Sequence, residues 1–362
     1  GREVARACYR GINLGQIATE ARQGAAPTEY DGFIGASPGE LDPRTNLNRV
    51  MSCSRIEYLA GCPFAYFIKH ILHIYPPEEV LFDPGQWLDP LARGSLLHSV
   101  YCNFMRKVTA EGEKVSFSKH RPLIMEVAEE IIAEYRETIP PPSDMVFEWE
   151  AREILQSCEV FLATEENRSS DPVYFEIPFG LGKEEVDKAG GGLADPVEIP
   201  LGSANFLLSG KIDRIDRVKD GVYSVWDYKT GSTYGYEDHR HLCGGRQVQH
   251  ALYAVAAEKL IEALQGEKAR VEVAGYIFPT VKGEGLQVSR LQTDRRDMEE
   301  VLNNLFDLLA GSVFVAADHG QKCIFCDYTE VCGGAVAVSR AKQLVSSGDT
   351  RLEPWRRLKD YE

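Results

Sequence analysis

Apolar residues first recur at helical spacing in Ile56, Leu59, Phe64, Phe67 and Ile71, a stripe that Ser52 or Ser54 can cap and that ends before Pro76-Pro77. A second stripe, Leu91, Leu96, Leu97, Val100 and Phe104, predicts a helix from about Pro90 to Val108. Two further helical patterns lie between Pro122 and Tyr135 and between Glu148 and Thr164. At Val173 the period changes, and Val173-Tyr174-Phe175-Glu176-Ile177 reads as a strand. A glycine-rich loop is expected from Gly180 to Pro196, followed by β-rich runs between Asn205 and Thr230. The pattern then predicts a helix from Gln249 to Leu264, strands from Val271 to Pro279 and from Leu286 to Leu291, and a helix from Asp294 to Leu309. These alternations predict an α/β fold, a central mixed sheet flanked by helices, with a helical N-terminal part.

No internal repeat is present, and no linker divides the region from about residue 50 to 335. Residues 1–50 are polar, with a Gly/Ala/Pro-containing stretch from Gly24 to Pro43, and read as a linker from a longer protein. Residues 51–335 read as one domain and 336–362 as a C-terminal tail.

The densest chemistry lies in two β-rich runs, Leu207 to Val218 and Val222 to Gly231, around Lys219-Asp220-Gly221. Asp-Gly between such runs predicts a hairpin. If those three residues form the loop, with Gly221 left-handed, Val218 lies opposite Val222, Asp213 opposite Asp227 and Lys211 opposite Lys229. Asp213, Asp227 and Lys229 then share one face; a two-residue loop would make the carboxylates diverge. Two carboxylates beside a lysine suit phosphodiester hydrolysis, because oxygen ligands hold Mg2+ or Mn2+ and a lysine can orient or deprotonate water or stabilise developing charge. The bland alternative is a surface hairpin with ordinary ion pairs.

Composition narrows the possibilities. With 44% hydrophobic and 26% charged residues the chain is ordinary for a globular protein. No stretch approaches the roughly 20 apolar residues of a membrane span, and Gly1-Arg2-Glu3-Val4 lacks a secretory signal's apolar run, so a cytoplasmic location is expected. A net charge of −15 argues against gripping nucleic acid over the whole surface, so any DNA contact must be local. Candidate cations near the chemistry are Arg55, Lys69, Arg93, Arg106, Lys107, Arg214, Arg217, Arg240 and Arg246. Of nine cysteines, Cys323, Cys326 and Cys332 form C-x2-C-x5-C, which can wrap one metal centre but needs a fourth ligand. Cys62 is the best candidate and Cys53 its rival.

Gly210-Lys211-Ile212-Asp213-Arg214-Ile215-Asp216 with Asp227-Tyr228-Lys229-Thr230-Gly231 resembles the G-x-(I/V)-D-R-(I/V)-D and D-(Y/F)-K-T-G motifs of RecB-type PD-(D/E)xK nucleases. Gly94-Ser95-Leu96-Leu97-His98 resembles that family's G-x-x-x-H, and Gln249-His250-Ala251-Leu252-Tyr253 its Q-x-x-x-Y. The segment from Ser52 to Tyr58, Cys62-Pro63-Phe64 and the terminal cysteines are similar to the AddB-like subset that carries a [4Fe-4S] cluster. The resemblance spans roughly Met51 to Gly334. It implies a PD-(D/E)xK nuclease core in which His98, Asp213 and Asp227 bind Mg2+ or Mn2+, Lys229 activates the nucleophile, and Gln249 and Tyr253 brace the site or touch DNA. Glu176 resembles a glutamate often found before the hairpin and is a supporting candidate. The resemblance further implies a cluster on Cys62, Cys323, Cys326 and Cys332 that clamps the two ends of the core, single-stranded DNA ends as substrate, and a helicase module as partner in recombination repair. Two other readings are a catalytically inert DNA-holding scaffold with a relic nuclease fold and a zinc-containing structural subunit.

Overall fold

Local capping chemistry starts the N-terminal helices where the sequence places them. In the computed structural model, which describes residues 2–35, 39–77, 83–236, 241–320 and 323–362, the helices Arg2–Cys8 (α1) and Arg10–Arg22 (α2) precede Cys53–Gly61 (α3). The Ser52 side chain caps α3 by accepting the Arg55 N–H. Cys62, extended at φ −165°, breaks the stripe before Pro63–Tyr66 (α4) and a π-helical turn at Phe67–Ile71. Asp89 caps Pro90–Ala110 (α5), whose first residue is a proline that has no N–H to lose. Phe117–Thr138 (α6) and Asp144–Glu166 (α7) follow.

Strand Asp171–Phe179 (β1) leads to Lys183–Ala189 (α8), a helix within the stretch expected to be loop. Val197–Leu201 (β2) and Ala204–Leu208 (β3) form a separate two-stranded ribbon. Gly210–Lys219 (β4) and Val222–Tyr228 (β5) form the hairpin, Gln249–Gln265 (α9) crosses over, and Arg270–Phe278 (β6) and Leu286–Leu291 (β7) complete the sheet. Arg296–Ala310 (α10), Thr329–Cys332 (α11), Ala335–Ser346 (α12) and Glu353–Arg357 (α13) close the chain.

The five-stranded sheet has the order β1-β4-β5-β6-β7, antiparallel except for the β5–β6 pair. Parallel neighbours need a crossover, which α9 supplies. Each sheet face is covered, so there are two cores. On one side Val225, Val248, Leu252, Val301 and Leu305 pack with α3, α9 and α10; on the other Trp226, Tyr228 and Ile277 pack with α5, α6 and α7. This is the mixed α/β architecture read from the sequence.

Several expectations need correction. Leu91, assigned to the apolar stripe of α5, is 81% exposed. Residues 336–362 are no loose tail, because Leu344, Trp355 and Leu358 are buried in the α9 core. Helix α2 buries none of its residues, but the rest of the supposed linker is tied down: Phe33 bridges Val313, Arg44 pairs with Asp307, and Met51 bridges Leu208. Arg214 is 1% exposed and closed inside an ion network with Glu165 and Asp216, which removes it as a DNA contact. Arg240 lies outside the described residues.

Candidate active site

The hairpin register sets the site. Arg214 lies opposite Trp226, Ile215 opposite Val225 and Arg217 opposite Tyr223, and the same register carried one step on puts Asp213 opposite Asp227. At the turn Lys219, not Val218, pairs with Val222; the register shifts between Arg217 and Lys219, and Gly221 alone of the turn has positive φ (+69°). The carboxylates therefore stay in register although the pairing next to the turn differs from expectation. Strand β1 adds a third acid: Phe175 lies opposite Arg214 and Ile177 opposite Ile212, which leaves Glu176 beside Asp213.

Glu176 gets there by a backbone distortion. Phe175 packs into the α5–α7 core and Ile177 into the α9 core, although residues two apart on a regular strand face the same way. Glu176 between them has φ +48°, a left-handed conformation worth about 1–3 kcal/mol of strain in a non-glycine residue. Its Oε1 lies 3.1 Å from His98 Nδ1, and its Oε2 pairs with Lys211 Nζ at 2.5 Å.

Helix α5 delivers His98. A Cβ at Gly94 would come 3.2 Å from Thr230 Oγ1, so the glycine lets α5 approach the end of β5. His98 Nε2 lies 3.0 Å from the Tyr228 carbonyl, which fixes that nitrogen as the N–H donor and turns Nδ1 toward the acids, 3.5 Å from Asp213 Oδ2. Ligand atoms of His98, Glu176 and Asp213 all lie within 4.8 Å of one another. Asp227 is outside that group. Its Oδ1 accepts from Gln249 Nε2 at 2.5 Å and its Oδ2 lies 2.7 Å from Lys229 Nζ. The sequence thus underrated Glu176, and its proposed triad of His98, Asp213 and Asp227 is only partly assembled.

Gln249 and Tyr253 flank these groups from α9. Gln249 Oε1 accepts from Lys229 Nζ at 2.9 Å while its Nε2 holds Asp227, so one amide fixes both catalytic candidates. Tyr253 packs over Gly210, where a Cβ would sit 2.9 Å from its hydroxyl. Glu57, which sequence reasoning passed over, accepts from the backbone N–H groups of Val248 (2.9 Å) and Gln249 (3.1 Å) and so anchors the start of α9. A glutamate on an amphipathic helix carries no sequence signal for that role.

Charge crowding shows in the titration. Burial and the facing Asp227 push the Asp213 carboxyl up to about 7. Burial alone would lower His98, but Asp213 and Glu176 override it and raise the imidazole to about 9. Burial raises Glu57 to about 7. Lys229 is desolvated, yet Asp227 holds it well above the usual lysine range and keeps it protonated.

The cysteines divide. Cys62 packs with Cys326 and Tyr328 in a small apolar cluster at the C-terminal edge. Burial pushes its thiol up, partly offset by hydrogen bonds from the amides of Ala65, Ala317 and Phe64. Cys323 feels the charges of Cys332 and Cys326, and the Gly334 N–H donates to Cys332 Sγ at 3.3 Å. Cys53 instead is buried beside Tyr253 and Glu57, on the carboxylate side.

A family model described as the PD-(D/E)XK nuclease superfamily matches residues 50–333. Among curated proteins, the chain is 28% identical over 277 residues to an ATP-dependent helicase/deoxyribonuclease subunit of Carboxydothermus hydrogenoformans, covering 71% of this chain and 23% of that protein. It is 27% identical over 221 residues to the protein of the same name from Clostridium perfringens (58% and 18%) and 28% identical over 241 residues to that from Clostridium tetani (63% and 19%). The chain thus spans less than a quarter of the length of these relatives.

Proposed function

Because the chain belongs to the PD-(D/E)XK nuclease superfamily, we propose that it is a Mg2+- or Mn2+-dependent deoxyribonuclease that hydrolyses phosphodiester bonds, acting as an exonuclease on single-stranded ends. The observation that carries this reading is the row Glu176, Asp213 and Asp227 on adjacent strands, with His98 Nδ1 and Lys229 at its two sides. The three facing acids crowd one pocket and are offset in part by His98, Lys211 and Lys229. The donors are a carboxylate-rich set with one imidazole, and ligand atoms of His98, Glu176 and Asp213 lie within 4.8 Å of one another, so the residues fit a hard divalent ion. His98, Asp213 and Asp227 would hold it, with Glu176 as a further donor.

When bound, such an ion lowers the pKa of a coordinated water and neutralises charge growing on the phosphate. His98 must lose a proton to offer Nδ1, and the Tyr228 carbonyl keeps the ring aimed while it does so. Lys229, held protonated, supports orienting the water and stabilising charge rather than abstracting a proton. Gln249 bonds both partners of the Lys229–Asp227 ion pair and so orients it, and Tyr253 packs behind them.

We assign the nuclease domain to residues 51–335. Its relatives are named helicase/deoxyribonuclease subunits, which supports a helicase partner and a part in recombination repair. A [4Fe-4S] cluster on Cys62, Cys323, Cys326 and Cys332 is the preferred use of the second site. The four thiols come from both ends of the domain, Cys62 and Cys326 pack against the same small cluster around Tyr328, and amide N–H groups reach the sulfurs of Cys62 and Cys332. The test is digestion of end-labelled single- and double-stranded DNA with Mg2+, beside Asp227→Ala. Metal-dependent shortening of single strands that the variant lacks is expected; equal residual activity in both proteins would instead support the inert scaffold.

A further inference from the structure

Most cations of this acidic chain are tied to carboxylates: Arg44 to Asp42 and Asp307, Arg168 to Asp216, Arg295 to Glu258, Arg340 to Asp31. The stretch around the π-helical turn departs from that rule. Among the described residues, Arg49, Arg55, Lys69, His70 and His73 make no ion pair with any carboxylate. They are nevertheless gathered. Tyr58 and Tyr66 pack on the His70 ring with centroids 5.4 and 5.0 Å away. Lys69 Nζ lies 4.9 Å over the Tyr58 ring and the Arg55 guanidinium 5.8 Å over Tyr66.

Arg55 Nη2 donates to the His70 carbonyl at 3.3 Å, while its Nε is buried without a hydrogen-bond partner. The charge of Arg49 also acts on Tyr66, and its own Nε donates to the Glu40 carbonyl at 3.2 Å. Burial, then Arg55, Lys69 and His73, depress the His70 imidazole to about 4, which reflects how closely these positive groups crowd. The nearby Asp327 carboxylate acts on Tyr58 but pairs with none of them. The turn itself is π-helical, a geometry frequent at functional sites, and His73 just beyond it has φ +53°. Tyr75 follows, 60% exposed.

Uncompensated cations attract phosphates, and an exposed aromatic ring offers a face to an unpaired base; together they are what single-stranded nucleic acid selects. We propose that the surface formed by Arg49, Arg55, Lys69, His73 and Tyr75 is a contact for the backbone and bases of a single DNA strand. The inference rests on the nuclease reading for its ligand, and it answers how a chain of net charge −15 approaches a polyanion. The contact is local, on one turn where ring contacts stand in place of carboxylate pairing, and among the described residues no acid is paired with these cations. A cation–π contact leaves the ammonium N–H groups of Lys69 without a carboxylate acceptor among the described residues.

The test is anisotropy of a labelled oligothymidylate in EDTA, between about 50 and 200 mM salt. Replacing Lys69 and His73 together by Gln should weaken binding about tenfold at the lower salt and flatten the log–log salt slope by about 0.7, the share of the Lys69–phosphate contact. Tyr75→Ala should weaken binding about fivefold or more without changing the slope. Lys69→Arg should bind as wild type does. Replacing the carboxylate-paired Lys188 and Lys259 by Gln removes at least as much charge and should change little. Unchanged affinity and slope in the Lys69/His73 variant would overturn the proposal and leave the patch as a seat for an acidic protein. Equal loss in the control pair would reduce it to net charge, and loss for duplex alone would overturn the single-strand assignment. Failure of the nuclease reading would appear separately, as no cleavage by the wild type, because binding is measured without metal.

Discussion

Replacing Asp213 by Asn should make the metal-free protein more stable while removing its use of Mg2+. The carboxyl is buried and titrates at about 7 instead of its ordinary 3.8, a value that already includes the attraction of His98. A carboxyl that binds its proton more tightly folded than unfolded helps most below 3.8, and its contribution is lost as pH rises through about 7. At roughly 1.4 kcal/mol per tenfold, the full penalty above that pH is on the order of 4 kcal/mol. Relaxation and water entry reduce such penalties in real sites, so about 2 kcal/mol is the expected gain at pH 8. An amide oxygen can still accept the Tyr228 N–H that Asp213 Oδ2 accepts at 2.8 Å, so packing is preserved. Melting in EDTA should then rise by about 3 °C at pH 8 and by little near pH 4, where the wild-type carboxyl is largely protonated. Added Mg2+ should reverse the order, raising only the wild type. An equal or lower melting temperature for Asp213→Asn at pH 8 would refute the claim that burying the Asp213 carboxylate destabilises the metal-free fold.

Gln249→Ala should lower turnover about 10- to 100-fold with KM for DNA nearly unchanged, because the amide orients Asp227 and Lys229 without carrying the chemistry; steady-state kinetics decide it. Arg214→Met leaves Glu165 buried without a guanidinium and Asp216 with Arg168 alone, and should cost about 3–5 kcal/mol in urea unfolding; a loss below about 1 kcal/mol would show that the network is dispensable. Cys62→Ser should abolish visible iron–sulfur absorbance and bound iron, whereas Cys53→Ser, beside Tyr253, should keep both; equal loss would overturn the ligand assignment.

Much of the fold was legible because it rests on short-range physics. Period and capping residues located α3, α5 and α9, and β7 runs over the predicted span from Leu286 to Leu291. Asp220-Gly221 placed the hairpin, and the count across it put Asp213 opposite Asp227 even though the pairing shifts at Val218. Charge patterning marked Arg55 and Lys69 without showing that they lack carboxylate partners. It also marked Arg214, which the fold turned inward.

Three features belonged to tertiary structure alone. The left-handed backbone at Glu176 leaves no trace in a strand pattern, because alternation assumes a regular pleat; only packing on both sheet faces stabilises it. Glu57 reaches the start of α9 across 191 residues of sequence, and Cys53 and Cys62, nine positions apart, lie in different surroundings, one beside Tyr253 and Glu57 and the other against the Tyr328 cluster. Residue spacing determined which groups can become neighbours along a strand or helix. Which neighbours share a pocket, and therefore whose charge shifts whose pKa, was decided by the packing of distant segments, since Coulombic coupling depends on separation in space and on burial, neither of which a linear pattern encodes.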